Sequence, residues 1–155
     1  MTDAQVKTQL EKLREQFGDD IYTKTKWEGR QNDWLIQWFA KFVNTTSIGV
    51  PLTFTVGGNL ISGHLISEAD YFEQLATDFS GALHEDNRAS AKEMIKSLQP
   101  QPATDKDDEI ACQFVHLSNA KVFTDASKPI VSGGTLWRGK ISSIEGFHLG
   151  SLAIC

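Results

Sequence analysis

Apolar side chains recur along this chain with two different periods, and the switches between them divide it into elements. In residues 3–17, Val6, Leu10, Leu13 and Phe17 stand four, three and four apart, the spacing of a narrow helical seam, with Gly18 beyond as a C-terminal stop. Such a seam either lies on its own domain or pairs with another chain. Gly18 to Gln31 is a charged connector in which Ile21, Tyr22 and Trp27 can still pack. A second helix is expected from Asn32 or Asp33 as N-cap to about Asn44, with Trp34, Leu35, Trp38, Phe39 and Phe42 on one broad face. Four aromatic rings in three turns suit a lid over the open end of a small sheet, since each buries ~150 to 250 Å². The other use of such a face is to meet a partner.

From Pro51 the period becomes two. Leu52, Phe54 and Val56 alternate with Thr53 and Thr55, Gly57-Gly58-Asn59 forms the turn, and Leu60–Ser67 returns as a strand with Gly63 at its centre. A glycine there either admits a neighbouring backbone or permits a strong bend. These glycines are not a phosphate cradle, because no Lys-Ser or Lys-Thr pair follows them. Ser67 and Asp70 resemble a capping box, and Tyr71, Phe72, Leu75, Ala76, Phe79 and Leu83 repeat at helical spacing. A weaker helix follows over Ala89–Leu98. Gln99 to Glu109, rich in proline and acid, reads as a solvated, mobile loop. Ile110–Phe123 is apolar on both faces and predicts a central strand. After a loop over Thr124–Gly133, Gly134–Gly150 places Thr135, Trp137, Gly139 and Ile141 on one face and Leu136, Arg138 and Lys140 on the other. Ile141 and Ile144, three apart, predict a single tight helical turn before Phe147 and Leu149 resume the alternation. The tail Ser151–Cys155 is expected to complete the last strand.

A chain of 155 residues has the length of one domain with appendages: 1–31 as helix and connector, and 32–155 as the domain, with a helical, acidic insertion at 67–110. The net charge of −5 is concentrated in that insertion, where four basic residues face eleven acidic ones for a net of −7. The remainder is balanced or, over 111–155, slightly basic. No basic face is dense enough to release counterions from nucleic acid, which argues against a nucleic-acid partner. No apolar run reaches the ~18 to 20 residues of a membrane span, and no leader pattern opens the chain, so a cytoplasmic protein that meets no membrane is expected. Cys112 in an apolar run and Cys155 at the end read as free thiols. The four histidines, His64, His84, His116 and His148, have no metal-ligand spacing; on strands such residues are half-exposed or hydrogen-bonded sheet positions. No nucleophile elbow is present, so no catalytic, cofactor or metal residue is assigned and the chain is read as a non-enzyme. Arg138 either binds an anion or covers apolar surface with its stem.

Two resemblances follow from these residues. The order of helix, strand, glycine-bent strand, third strand and closing pair, with Phe114–Ala120 and Trp137-Arg-Gly-Lys-Ile-Ser-Ser-Ile144, is similar to the Sm-like barrel. It departs at residues 67–110, where RNA-binding members place a base-contacting loop. More closely, Val56–Phe72, Phe114–Phe123 and Trp137–Gly150 resemble, in order, the gas vesicle accessory protein GvpU family. The expectation is therefore an α+β fold: a small five-stranded Sm-like β-barrel with N-terminal helices and a helical insertion between its second and third strands. The resemblance implies a non-catalytic accessory protein of gas vesicle formation or clustering that acts through protein contacts. Homo-oligomerisation is expected through strand edges and through Val6, Leu10, Leu13, Phe17, Trp34, Trp38 and Arg138, with gas vesicle proteins as further partners. The alternatives are a nucleic-acid-binding module or a small enzyme.

Overall fold

The breaks in the hydrophobic pattern become element boundaries in the computed structural model, which describes residues 32–101, 111–125 and 128–152. Helix α1 spans Trp34–Thr46, strands β1 and β2 span Val50–Val56 and Asn59–Ile66, helices α2 and α3 span Glu68–Gly81 and Glu85–Ser97, and strands β3, β4 and β5 span Phe114–Phe123, Thr135–Lys140 and Gly146–Leu149. A 3₁₀ turn, Ile141–Ser143, stands between β4 and β5 where the three-residue spacing predicts it. The seam of residues 3–17, the connector, most of the acidic linker and Cys155 lie outside the described residues.

The helix starts follow local chemistry. Asp33 Oδ1 accepts the Leu35 N–H at 2.9 Å, and Ser67 Oγ accepts the Asp70 N–H at 3.0 Å while donating to Asp70 Oδ2 at 2.8 Å. Helix α3 begins at Glu85, four residues before the apolar pattern alone suggests. Glu85 and Asp86 in its first turn and Lys96 in its last complement the helix dipole. Only Ala91 of α3 is buried, and the helix is held to α2 by Lys96 and Lys92, 2.9 and 3.7 Å from the two Glu73 oxygens.

The five strands form one antiparallel sheet in the order β4-β3-β2-β1-β5. The Gly57–Gly58 turn joins β1 to β2, pairing Phe54 with Ile61 and Leu52 with Gly63. β3 lies inside the sheet, as its two-sided apolarity predicts. In its middle, one extra residue shifts the register against both β2 and β4, and Asn119 adopts a left-handed φ of 49° there. The bulge brings β3 backbone onto Gly63: a Cβ at that position would lie 2.9 Å from the Ser118 carbonyl oxygen and 3.1 Å from the Ala120 Cα. Gly63 is therefore required by a close backbone approach, at the bend.

The core is formed by Leu52, Phe54, Ile61, Leu65, Val115, Leu117 and Ala120 from the inner face of the sheet, Ile36, Ala40 and Val43 from α1, and Ile141 from the 3₁₀ turn. Burying one such large side chain contributes ~1.5 to 3 kcal/mol relative to leaving it in water. The buried stripe of α1 is not the aromatic one expected. Ile36, Ala40 and Val43, spaced four and three apart, face the sheet, while Trp34 and Trp38 are 37% and 43% exposed. Smaller side chains let the helix axis approach the strands, and Phe39 and Phe42 pack only partly against the core.

The expected closed barrel is corrected to an open sheet, because β4 and β5 occupy opposite edges and make no ladder with each other. The sheet nevertheless curls. Flat, its edges would be four strand spacings or ~19 Å apart, whereas the six steps from Lys140 to Gly146, three of them at 3₁₀ rise, reach ~16 Å. The turn itself is pinned on both sides, by Ile141 N–H to the Gln113 carbonyl and Glu145 N–H to the Thr55 carbonyl, each 2.9 Å. Residues 150–152 do not extend β5 either: Gly150 turns at φ 101°, and the Leu152 N–H donates to Ser62 Oγ at 2.6 Å.

Candidate interaction surfaces

Strand alternation puts a second set of side chains on the outer face of the sheet. At the β1–β2 end, Thr53 and Ser62 are fully buried and hydrogen-bonded to each other at 3.0 Å, and Thr53 Oγ1 donates to the Gly150 carbonyl at 2.8 Å beneath the C-terminal tail. At the β3–β4 end the cover is α2. Its first turns bring Tyr71 and Phe72 onto β3, with the Tyr71 ring 4.4 Å from the His116 ring.

His116 pairs with Ile66 on one side and Arg138 on the other. It is only 4% exposed, and its Nε2 has no hydrogen-bond partner among the described residues. Burial, aided by the Arg138 charge, holds its pKa down to about 4, so the ring is neutral at physiological pH. This departs from the hydrogen-bonded or half-exposed histidine expected of a strand position. Arg138 lies over the Phe114 ring at 4.0 Å and 5.9 Å from the Phe72 ring. Glu68, in the first turn of α2, completes the group; burial raises its pKa and Arg138 opposes that shift. Tyr71, Phe72, Glu68 and His116 were not singled out by motif. The signal available was the helical spacing of Tyr71 and Phe72 together with the His116/Arg138 parity, which needs the β3–β4 register to be read.

The other expected contact residues are dispersed. Trp34 and Trp38 share a flank of α1, where the Trp38 ring stacks on Phe42 at 5.6 Å and meets Phe39 edge-on at 5.3 Å. Phe39 in turn touches Phe147 of β5 at 5.8 Å. Because α1 covers the inner face and Arg138 stands on the outer one, the tryptophans and the arginine do not form one surface. Val6, Leu10, Leu13 and Phe17 lie outside the described residues.

The glycine after Arg138 has a packing reason. A Cβ on Gly139 would fall 2.1 Å from the Trp137 ring, which crosses the strand at that point to reach Phe54, 6.3 Å between centroids. The Arg-Gly pair is thus set by the placement of Trp137. Among the described residues no group of three or more His, Cys, Asp or Glu side chains is placed to hold a metal ion, and no helix is long and apolar enough to cross a membrane.

Compared with known proteins, residues 33–152 match the family model described as gas vesicle protein GvpU-like. No curated protein and no solved structure matches the chain.

Proposed function

Since the chain belongs to the gas vesicle protein GvpU-like family, we propose that it is a non-catalytic accessory protein of gas vesicles, acting in the cytoplasm through protein contacts and self-association. The observation that carries this reading is the extent of the match, which runs from the N-cap of α1 to the Leu152 latch and so takes in every described element. The shape of the molecule supports contact-based work. Among the described residues both outer strands leave one edge without a ladder partner, and Trp34, Trp38, Ile48, Phe79, Met94 and Leu98 are exposed on the helices and the segments that follow them.

In this reading 32–155 is the working domain, with the Sm-like succession of strands curled without closing, and 1–31 is an appended arm. The Trp34 and Trp38 flank and the strand edges meet a second copy. The seam of Val6, Leu10, Leu13 and Phe17 adds a further contact, as an amphipathic helix does when it pairs. Sedimentation of the full chain at tens of micromolar tests the self-association; a mass above the monomer is expected, and a strict monomer overturns it. Flotation with purified gas vesicles tests the accessory role. The protein is expected in the buoyant layer, and its complete retention below that layer overturns the association.

A further inference from the structure

We infer that the Trp34–Trp38 flank of α1 is the docking surface for residues 3–17 of the same chain, which seat there through Val6, Leu10, Leu13 and Phe17. The inference rests on the reading that this flank meets a second copy, and it names what occupies the flank until one arrives.

Trp34, Trp38 and Phe42 stand four apart along one line of α1, ~12 Å from first to last. Phe42 stacks under the Trp38 ring at 5.6 Å and Phe39 meets it edge-on at 5.3 Å, yet Trp38 is 43% exposed and Trp34 37%. A ring already held by its neighbours loses little further freedom when it is covered. Covering it therefore removes apolar area from water at small entropic cost.

Connectivity selects the occupant. Residues 1–31 lie outside the described residues and join the domain at Asn32, two positions before Trp34. Within them, Val6, Leu10, Leu13 and Phe17 form a line that is ~16 Å long on a helix, within one turn of the length of the flank. A helix of about 15 residues is marginal in water without a surface to lie on. Gly18–Gln31 spans up to ~46 to 50 Å when extended, so reach allows the seam to lie along α1 in either direction. Lys7 and Arg14, seven apart beside the seam, bring cations to a surface of indole faces. The other apolar side chains exposed on helices, Phe79 and Met94, belong to the α2–α3 hairpin on the outer face, whereas α1, which the arm joins, covers the inner one.

The tether decides between the arm of the same chain and that of a neighbour. A short flexible connector holds its end at an effective concentration of about a millimolar, so at tens of micromolar protein the chain's own arm is favoured on the order of 10 to 100 times. Where copies are crowded together, two chains can exchange arms. Each flank then keeps the same contact, now made by its neighbour.

The test uses the full chain at tens of micromolar, with Cys112→Ser and Cys155→Ser removing the native thiols and a nitroxide attached through Glu11→Cys, on the polar side of the seam. The indole N–H resonances of Trp34 and Trp38, assigned by Trp34→Phe and Trp38→Phe, are expected to broaden when nitroxide and isotope label share a chain. In an equal mixture of nitroxide-bearing chains and isotope-labelled chains without nitroxide, the effect should be at least roughly fivefold smaller. Leu10→Asp with Leu13→Asp should reduce the same-chain effect to that of the mixture, while the Trp137 resonance, from a ring packed near Phe54, stays in place and reports an intact domain. Absence of same-chain broadening overturns the docking, as does broadening that survives the two aspartates. Equal or greater broadening in the mixture overturns the chain's own arm as occupant in favour of a neighbour's, and this comparison needs no change in the seam. Sedimentation of the same samples separates the two claims. Association without same-chain broadening removes only the docking, whereas same-chain broadening in a strict monomer removes only self-association.

Discussion

On the inner face of the sheet, Leu52, Phe54, Leu65, Val115 and Leu117 are buried against Ile36, Ala40 and Val43, and the buried polar side chain there, Gln37, donates from Nε2 to the Cys112 carbonyl at 3.0 Å while its Oε1 is left without a partner among the described residues. On the outer face the deeply buried polar side chains are Thr53, Ser62 and His116. Thr53 and Ser62 are satisfied by each other and by the residues after β5, while among the described residues His116 has an unpartnered nitrogen and its neighbour across the register, Arg138, makes no ion pair. Side chains alternate across the same strands, so each strand contributes to both environments. The inner face draws its stability from apolar area and close packing, which are indifferent to pH. The outer face holds ionisable groups that respond to it.

Three changes would break or sharpen that contrast. The largest effect is expected from Phe54→Ala, which empties a fully buried site touching Trp137. A loss of ~3 to 5 kcal/mol in urea unfolding is anticipated, with little change in that cost between pH 5 and 8. A cost below about 1 kcal/mol would mean that this residue is not at the centre of the core.

Next comes the pH dependence of His116. Its pKa in the folded protein, about 4, is depressed below the ~6.5 of an unfolded histidine. The unfolded chain therefore binds the proton first, and stability present above pH ~6.5 is lost as pH falls towards 4, by up to ~3 kcal/mol. The difference in unfolding free energy between the wild type and His116→Phe, followed from pH 7.5 to 4, should carry this slope. Parallel curves for the two proteins would remove His116 as its source.

Smallest is Gly63→Val, where β3 backbone crosses the sheet. A cost of ~1 to 3 kcal/mol is expected, because neither the Ser118 carbonyl nor the Ala120 backbone can yield without disturbing the bulge. An unchanged melting curve would show that the close approach of β3 to Gly63 does not constrain the fold.

Period and punctuation along the chain were enough to place α1, the β1–β2 hairpin, the capped start of α2, the interior position of β3 and the tight turn at Ile141–Ser143. All of these depend on neighbours a few residues apart: an acceptor at a helix start, a glycine pair in a turn, a three-residue spacing. Four features needed tertiary structure. Which stripe of α1 faces inward was decided by how closely a helix can approach a curved sheet, which favours Ile36, Ala40 and Val43 over the tryptophans. The open order of the sheet was decided by where β4 and β5 find partners, at opposite edges, which their own alternation does not encode. The reason for Gly139 lies in a ring that folds back over it. And the meeting of His116, Arg138, Tyr71 and Glu68 depends on a strand register and on a helix inserted between β2 and β3. Local sequence determines what each segment of this protein can become; burial and pairing over long separations decide which of its side chains are left for a partner.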